Sequence, residues 1–393
     1  MFERVRMGMV GGGQGAFIGS VHRMAAALDG KIDLVCGAFS QDFDNTRATG
    51  AELAIASDRL YASWQDMLER EAALPKAQRM ECLSIVTPNH LHMPIAKAAA
   101  ELGFHVICDK PAGLSFAEVA ELGDVLERSE TLFGLTHTYL GYPMVWQARH
   151  VITTGVLGTI RKIYVDYPQG WLAKDAEGNG SKQALWRTDP ARAGLAGAMG
   201  DIGTHAHSLA EFMTSDRMAR LSALLATHQP GRRLDDDGTV LFEMVNGATG
   251  VLTASQVCAG EENALKIRIY GEDGGLEWSQ MEPNSLIIRR FGAPQHIYRA
   301  GSDMPLCDEA LARCRLPSGH PEGYLEAFAN LYRDFAAAIR AGESGVATGV
   351  PGIEAGLAGM AFLEAVVASA GYDRAWAELK STTPVTRERM AAS

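Results

Sequence analysis

Two short motifs of this chain hold residues that handle protons and charge. In "ICDKPAG", Lys110 stands directly after an apolar run and before Pro111. In "AMGDIGTHAHSLAEF", Asp201 and His205 are four residues apart, the spacing that places two side chains on one helix face and into one pocket. A lysine ammonium can hydrogen-bond an oxygen and stabilise charge developing there. A histidine, with an ordinary pKa near ~6.5, is suited to exchange a proton with such an oxygen. A lone lysine on a turn would mean little. Its place in the chain gives it meaning.

The opening stretch, "VRMGMVGGGQGAFIGSVHRMAAALDG", runs from a strand (Arg6 to Val10) through glycines to a helix (Val21 to Leu28). Glycine lets backbone approach a ligand closely, and the N–H groups opening a helix attract an anion. Strand, glycine turn and helix together form the usual cradle for a dinucleotide pyrophosphate. The spacing is unusual. Gly11-x-Gly13 fits the first half of that fingerprint, but the third glycine comes at Gly19, six residues later instead of three. Gly11 and Gly13 are then the turn and close-approach glycines, and Gly19 the helix-packing glycine. Gln14-Gly15-Ala16 becomes an insertion that widens the phosphate loop.

"IDLVCGAF", "MECLSIV" and "FHVIC" are nearly continuous apolar strands, with "PIAKAAAEL" a helix between the last two. That pattern indicates a parallel sheet covered on both faces. Thr87-Pro88-Asn89 and Asp109-Lys110-Pro111 fall at its strand ends, where a doubly wound sheet presents its ligands. After Gly158 come strands separated by turn residues, among them "TIRKIYVDYPQGW", "TVLFEMV", "TGVLTASQV" and "ALKIRIYG", with a hairpin signal at Asn246-Gly247. In "ALKIRIYG", Leu265, Ile267 and Ile269 alternate with Lys266, Arg268 and Tyr270, as expected of a sheet with one buried side. Two helices at helical apolar spacing close the chain. The fold class is α/β: a doubly wound parallel sheet over 1–138, then over 139–393 an α+β domain with a large, mostly antiparallel open sheet, its last helices packing back on the first domain.

The bulk properties narrow the function. A length of 393 residues holds two domains with separate cores, and 47% apolar with 21% charged residues is ordinary for a globular protein. A net charge of −11 argues against nucleic acid as a partner. No apolar run approaches the ~20 residues that span a bilayer, and the charged N-terminus shows no secretory signal. Six cysteines without CxxC pairs, three of them in expected buried strands, indicate reduced thiols of a cytoplasmic protein.

Four motifs in one order carry a resemblance along nearly the whole chain: Gly19-x-x-His22, Thr87-Pro88-Asn89-His90 with His92, Asp109-Lys110-Pro111, and Gly200-Asp201-Ile202-Gly203-Thr204-His205. The chain resembles the glucose–fructose oxidoreductase / inositol dehydrogenase family of NAD(P)-dependent sugar and polyol dehydrogenases. The resemblance implies a Rossmann-type first domain and a hydride moved between the nicotinamide and a hydroxyl-bearing carbon. His205 would take the hydroxyl proton, Lys110 would stabilise the reacting oxygen, and Asp201 would orient the hydroxyl or the histidine. The implied cofactor contacts are Gly11, Gly13, Gln14, Phe17, Ile18, Phe39, Ser40, Thr87, Pro88, Asn89, His92, Asp109 and Lys110. Those to substrate are Lys110, Tyr167, Trp171, Trp186, Arg187, Asp201 and His205, with Asp189 a further candidate. Chelation of a metal by His90 and His92, or by Asp201, His205 and His207, is set aside, because hydride transfer needs no Lewis acid.

Two departures stand out: Asp109 where the family usually has glutamate, and Ser208 where it often has aspartate, the second putting one substrate contact in doubt. The resemblance also implies a cis Lys110–Pro111 bond and a homo-dimer or homo-tetramer formed through the open sheet. NAD is the preferred cofactor and NADP the alternative: the end of the second strand carries Phe39 and Ser40, neither acidic, with Asp42 and Asp44 nearby and Arg47 further on. NAD-dependent glycoside cleavage by transient oxidation, or a non-catalytic dinucleotide-binding sensor, are the alternatives.

Overall fold

The computed structural model describes residues 3–343 and 348–381. Five strands form a wholly parallel sheet: β1 (Val5–Gly11), β2 (Ile32–Ala38), β3 (Cys82–Val86), β4 (His105–Cys108) and β5 (Phe133–Leu135), ordered β2-β1-β3-β4-β5. Every residue of β3 is buried, as expected of an apolar strand covered on both faces. The covering helices are α1 (Phe17–Leu28), α2 (Phe43–Glu52), α3 (Trp64–Ala73), α4 (His92–Glu101) and α5 (Phe116–Ser129). α1 begins four residues before the expected Val21, so the glycine-rich loop is shorter than its composition suggests.

After α6 (Pro143–Thr153) the chain builds a nine-stranded sheet. Its strands are β6 (Ile160–Pro168), β7 (Met218–Ala226), β8 (Asp237–Met244), β9 (Thr249–Ser255), β10 (Lys266–Gly271), β11 (Gly274–Ser279), β12 (Ser285–Arg290), β13 (His296–Arg299) and β14 (Ala377–Glu378). Among the described residues of this sheet, only β6 and β9 pair in parallel. Leu265, Ile267 and Ile269 are fully buried and Tyr270 faces out, as the alternation requires. Gly247 closes the β8–β9 hairpin at φ +88°. β7 was not legible from its sequence. A bulge between Met218 and Arg220 breaks the two-residue period, leaving a pattern that fits neither template.

The helices of this half are α7 (Lys182–Arg187), α8 (Pro190–Ala193), α9 (Thr204–Thr214), α10 (Asp308–Leu311), α11 (Tyr324–Ala341) and α12 (Ile353–Gly371). α11 packs on α1, where the Tyr332 hydroxyl meets His22 Nδ1 at 2.6 Å and Ser84 Oγ at 2.9 Å. α12 packs against both α5 and β7. One expectation is corrected here: Ile353–Gly371 is long and apolar enough to cross a bilayer, although half of it is buried within the fold. It is apolar all round because neighbours cover it on several sides. The six cysteines are unpaired, with Cys36, Cys82 and Cys108 buried in the first sheet.

Candidate active site

The carboxyl ends of β1, β3 and β4 converge on one crevice. Gly11 and Gly12 turn the chain at φ +85° and +75°, and Gly19 lies against Gly12 so closely that a methyl group on it would overlap the Gly12 backbone. That is the helix-packing role expected of Gly19. The Gly13 N–H donates to the Phe39 carbonyl at 3.0 Å. The Lys110–Pro111 bond is cis.

Beside this crevice lies a cavity of about 540 Å³. Phe17 and Ile18 enter it from the first turn of α1, Asp109 and Lys110 from the end of β4, and Tyr167, Trp171 and Arg187 from β6 and the segment after it. Asp201 sits on a π-helical turn, Met199–Gly203, that runs into α9, and His205 lies on the first turn of α9 itself. The widened turn brings both side chains to the same cavity.

Lys110 Nζ donates to Asp201 Oδ1 at 2.7 Å and to the Asp201 carbonyl at 2.6 Å. An ammonium has three N–H groups, so one remains for a ligand. Asp201 Oδ2 accepts from Gln256 Nε2 at 2.8 Å and lies 3.3 Å from Arg187 Nε. Burial alone would raise the Asp201 pKa, but Lys110 and Arg187 outweigh it and hold the carboxyl well below its ordinary range. Both carboxylate oxygens are thus engaged away from His205. Of the two roles expected of Asp201, orienting the histidine has no contact behind it.

His205 is 8% exposed, its Nδ1 is buried without a hydrogen-bond partner, and its ring meets His137 and Tyr139 edge-on, with centroids 5.5 and 4.9 Å away. Burial first, then Lys110 and His137, push its pKa well below 6.5, so the ring is neutral near pH 7.

Several expected contacts lie elsewhere. His92 is fully buried, with Nδ1 2.8 Å from the Pro111 carbonyl and Nε2 2.9 Å from that of Thr87. Neutral, the ring donates to one of these carbonyls only, but both of its nitrogens are turned to backbone at the ends of β3 and β4. The Asn89 amide donates to the Ala193 carbonyl at 2.9 Å, tying the residues after Thr87 and Pro88 to α8. Phe39 is 2% exposed, and its carbonyl accepts from the Gly13 N–H of the glycine loop at 3.0 Å. Trp186 does not line the cavity. Its ring backs Arg187, 4.2 Å from the guanidinium carbon, and its Nε1 donates to Gln183. Asp189 caps α8. Ser208 lines a second cavity of about 670 Å³ with His207 and Glu211, not the one holding Lys110, so its departure from the family removes no contact there.

Tyr139, Gln169, Asn263 and Gln280 also line the site and escaped the sequence reading. Asn263 Oδ1 accepts from Tyr167 and Gln169, each at 2.7 Å, while its Nδ2 donates to Tyr139 at 3.0 Å. Gln256 stands just after β9, so the strand-end argument that singles out Lys110 would have found it too.

Residues 5–137 match the oxidoreductase family with the NAD-binding Rossmann fold, and residues 145–277 match the GFO/IDH/MocA C-terminal domain. The uncharacterized oxidoreductase YfiI of Bacillus subtilis is 35% identical over 387 residues, which is 96% of this chain and 97% of its own. The chain belongs to the GFO/IDH/MocA family. An inositol dehydrogenase homolog from Azotobacter vinelandii, solved with NAD+, shares the fold at a TM-score of 0.90 and 34% identity, covering 96% of this chain and 97% of that one. An inositol dehydrogenase homolog from the same organism has also been solved with NADH and myo-inositol. Levoglucosan dehydrogenase of Pseudarthrobacter phenanthrenivorans is 26% identical over 309 residues, 73% of this chain and 76% of its own. This member of the family is therefore an oxidoreductase whose first domain is an NAD-binding Rossmann fold.

The site carries a consequence for stability. His22, His92, His137 and His205 are all under a tenth exposed, and burial is the leading cause that lowers each pKa, to about 4 for His22 and about 3 for His137. In the unfolded chain each titrates near ~6.5, so below that pH the unfolded state binds more protons and stability falls. His22 and His137 each remove up to ~1.4 kcal/mol per pH unit between about pH 6 and 4. The apo protein should melt ~5 °C lower at about pH 5 than at about pH 7.5. Equal melting temperatures would mean that these rings are charged in the native state.

Proposed function

We propose that the protein moves a hydride between NAD and a secondary hydroxyl of a sugar, polyol or glycoside. The observation that carries this reading is that Lys110, held by Asp201, and a neutral His205 face one cavity at the strand ends of the NAD-binding sheet. The loop at Gly11 to Ala16 and the exposed Phe17 fit a dinucleotide, since Gly15 has open space around it and Phe17 is 68% exposed at the cavity. Bound NAD supplies the hydride acceptor. Lys110 donates its remaining N–H to the carbinol oxygen, and His205 takes the hydroxyl proton. Asp201 fixes the ammonium in place, while Arg187, Tyr167 and Trp171 shape the walls around the ring. A screen of polyols, sugars, anhydrosugars and glycosides with NAD should find at least one that yields NADH. Aglycone release without net NADH would favour glycoside cleavage instead. NADH binding with no turnover on the whole panel would leave a sensor.

The preferred cofactor is NAD. Asp42 caps α2, and Arg47 is paired with Asp44 and lies over the Phe43 ring. Arg47 is two residues from Asn45, which faces the glycine loop, so it points to the opposite side of the helix. A 2′-phosphate would meet the Asp42 carboxylate at the start of α2 and no aligned cation. NAD should exceed NADP by roughly ten- to thirtyfold in kcat/KM, or ~1–2 kcal/mol, and a preference for NADP in steady-state kinetics would refute this assignment.

The outer face of the nine-stranded sheet exposes Leu224 and Leu241 among its charged pairs, which supports self-association there as a homo-dimer or homo-tetramer. A monomer in light scattering would reject it.

A further inference from the structure

We infer that Asn45, on α2, is a latch that sets the shape of the widened glycine loop and thereby the affinity for the dinucleotide. The inference rests on the cofactor role of that loop. A phosphate loop with an insertion has more conformations than the compact form, and each lost on binding weakens affinity. Gln14-Gly15-Ala16 is such an insertion, with Gly15 at φ +84° and nothing within 4 Å of where a side chain would begin. Something else must hold it.

Asn45 makes the hold reciprocal. Its Oδ1 accepts from the Gln14 backbone N–H at 3.0 Å, and its Nδ2 donates to the Gln14 carbonyl at 3.1 Å. Thr49, one turn on, offers its hydroxyl to the same Gln14 N–H at 3.1 Å, and Glu52 accepts from the Gln14 side chain at 2.5 Å. These three residues form one stripe of α2. From α1, Arg23 donates to the Gly12 carbonyl at 2.6 Å and restrains the loop from its other side. The Asn45 amide also explains Gly13. A methyl group at Gly13 would overlap Asn45 Oδ1 and sit 2.9 Å from the Phe39 carbonyl, so Gly13 must lack a side chain for α2 to reach the loop. The close approach at Gly13 is first between two parts of this protein.

Asn45 is a positioning residue, with its side chain committed to the backbone of the loop. Asn45→Ala should raise the NADH dissociation constant and the KM for NAD about tenfold, with the loss of two hydrogen bonds. The kcat at saturating NAD should stay within about twofold, and so should the KM for the sugar or polyol, because nothing at Lys110 or His205 changes. A structural lesion would instead lower kcat and the melting temperature together. Thr49→Val removes one acceptor while conserving shape, and should weaken NADH about threefold. It carries the test alone if Asn45→Ala does not fold. NADH titrations in which the folded variants bind within error of wild type would overturn the latch, as would an equal loss in kcat. Failure of the wild-type protein to bind NADH would overturn the latch and the cofactor reading together.

Discussion

Lys110→Met is expected to lower kcat by ~10²–10⁴ while leaving NADH affinity within severalfold, because in the proposed mechanism the variant loses the donor to the reacting oxygen. Methionine conserves the length of the side chain, so the cavity keeps its shape. A second effect follows from the pairing. Asp201 is 19% exposed at its side chain and loses its nearest cation, keeping only Arg187 and Gln256. Breaking one side of a buried pair leaves an undercompensated charge, which can cost ~3–5 kcal/mol, less here because Arg187 remains. Low turnover in Lys110→Met could then come from a damaged site. Lys110→Met combined with Asp201→Asn separates the causes, since it removes both charges. The double variant should regain most of the lost melting temperature and none of the lost kcat. Recovery of turnover in the double variant, or wild-type turnover in the single one, would show that Lys110 only balances Asp201.

The parts of this molecule that follow local rules are legible in its sequence. β3 and β4 are apolar on both faces, so they could only be buried parallel strands, and Lys110 at the end of β4 followed from that placement. Asp201 and His205 were paired by spacing alone, although the π-helical turn that carries Asp201 leaves no mark in the sequence. The failures have physical reasons too. His92 was expected at the cofactor because the family resemblance implies it there, but a histidine held between two carbonyls and a histidine facing a ligand look alike in sequence. Trp186 and Trp171 were equally aromatic and close in the chain, yet α7 turns one into the cavity's backing and leaves the other in its wall. Asn263 and Gln280 come from different strands and loops that only the folded sheet brings together, and an amide has no spacing signature. Asn45 was invisible for a related reason: its partner is backbone, and the distance of thirty-one residues between them carries no pattern.

His205→Asn should likewise cut kcat by ~10²–10⁴, since asparagine keeps a polar side chain of similar reach but cannot accept the proton. The sharper expectation concerns pH. In the proposed mechanism His205 acts as a base only when neutral, and its pKa is held well below the ordinary ~6.5 by burial, by Lys110 and by His137. Lowering that pKa extends the neutral form to more acidic solution, so kcat/KM in the wild-type protein should stay level as the pH drops through about 6.5 and fall only further down. The Asp201 carboxyl does not supply an earlier limb, because Lys110 and Arg187 keep it ionised below its ordinary range. In His205→Asn the remaining rate should lose the histidine limb and rise with hydroxide concentration instead, as water replaces the base. The assignment has a cost in driving force: a base of depressed pKa is weak, and the site offsets this through Lys110, which lowers the charge that must build on the oxygen as its proton leaves. The two residues should therefore be strongly coupled, with Lys110→Met and His205→Asn together little worse than either alone. A limb at or above about pH 6.5 in the wild-type protein, or fully additive losses in the double variant, would show that proton removal and oxygen stabilisation are not shared between Lys110 and His205.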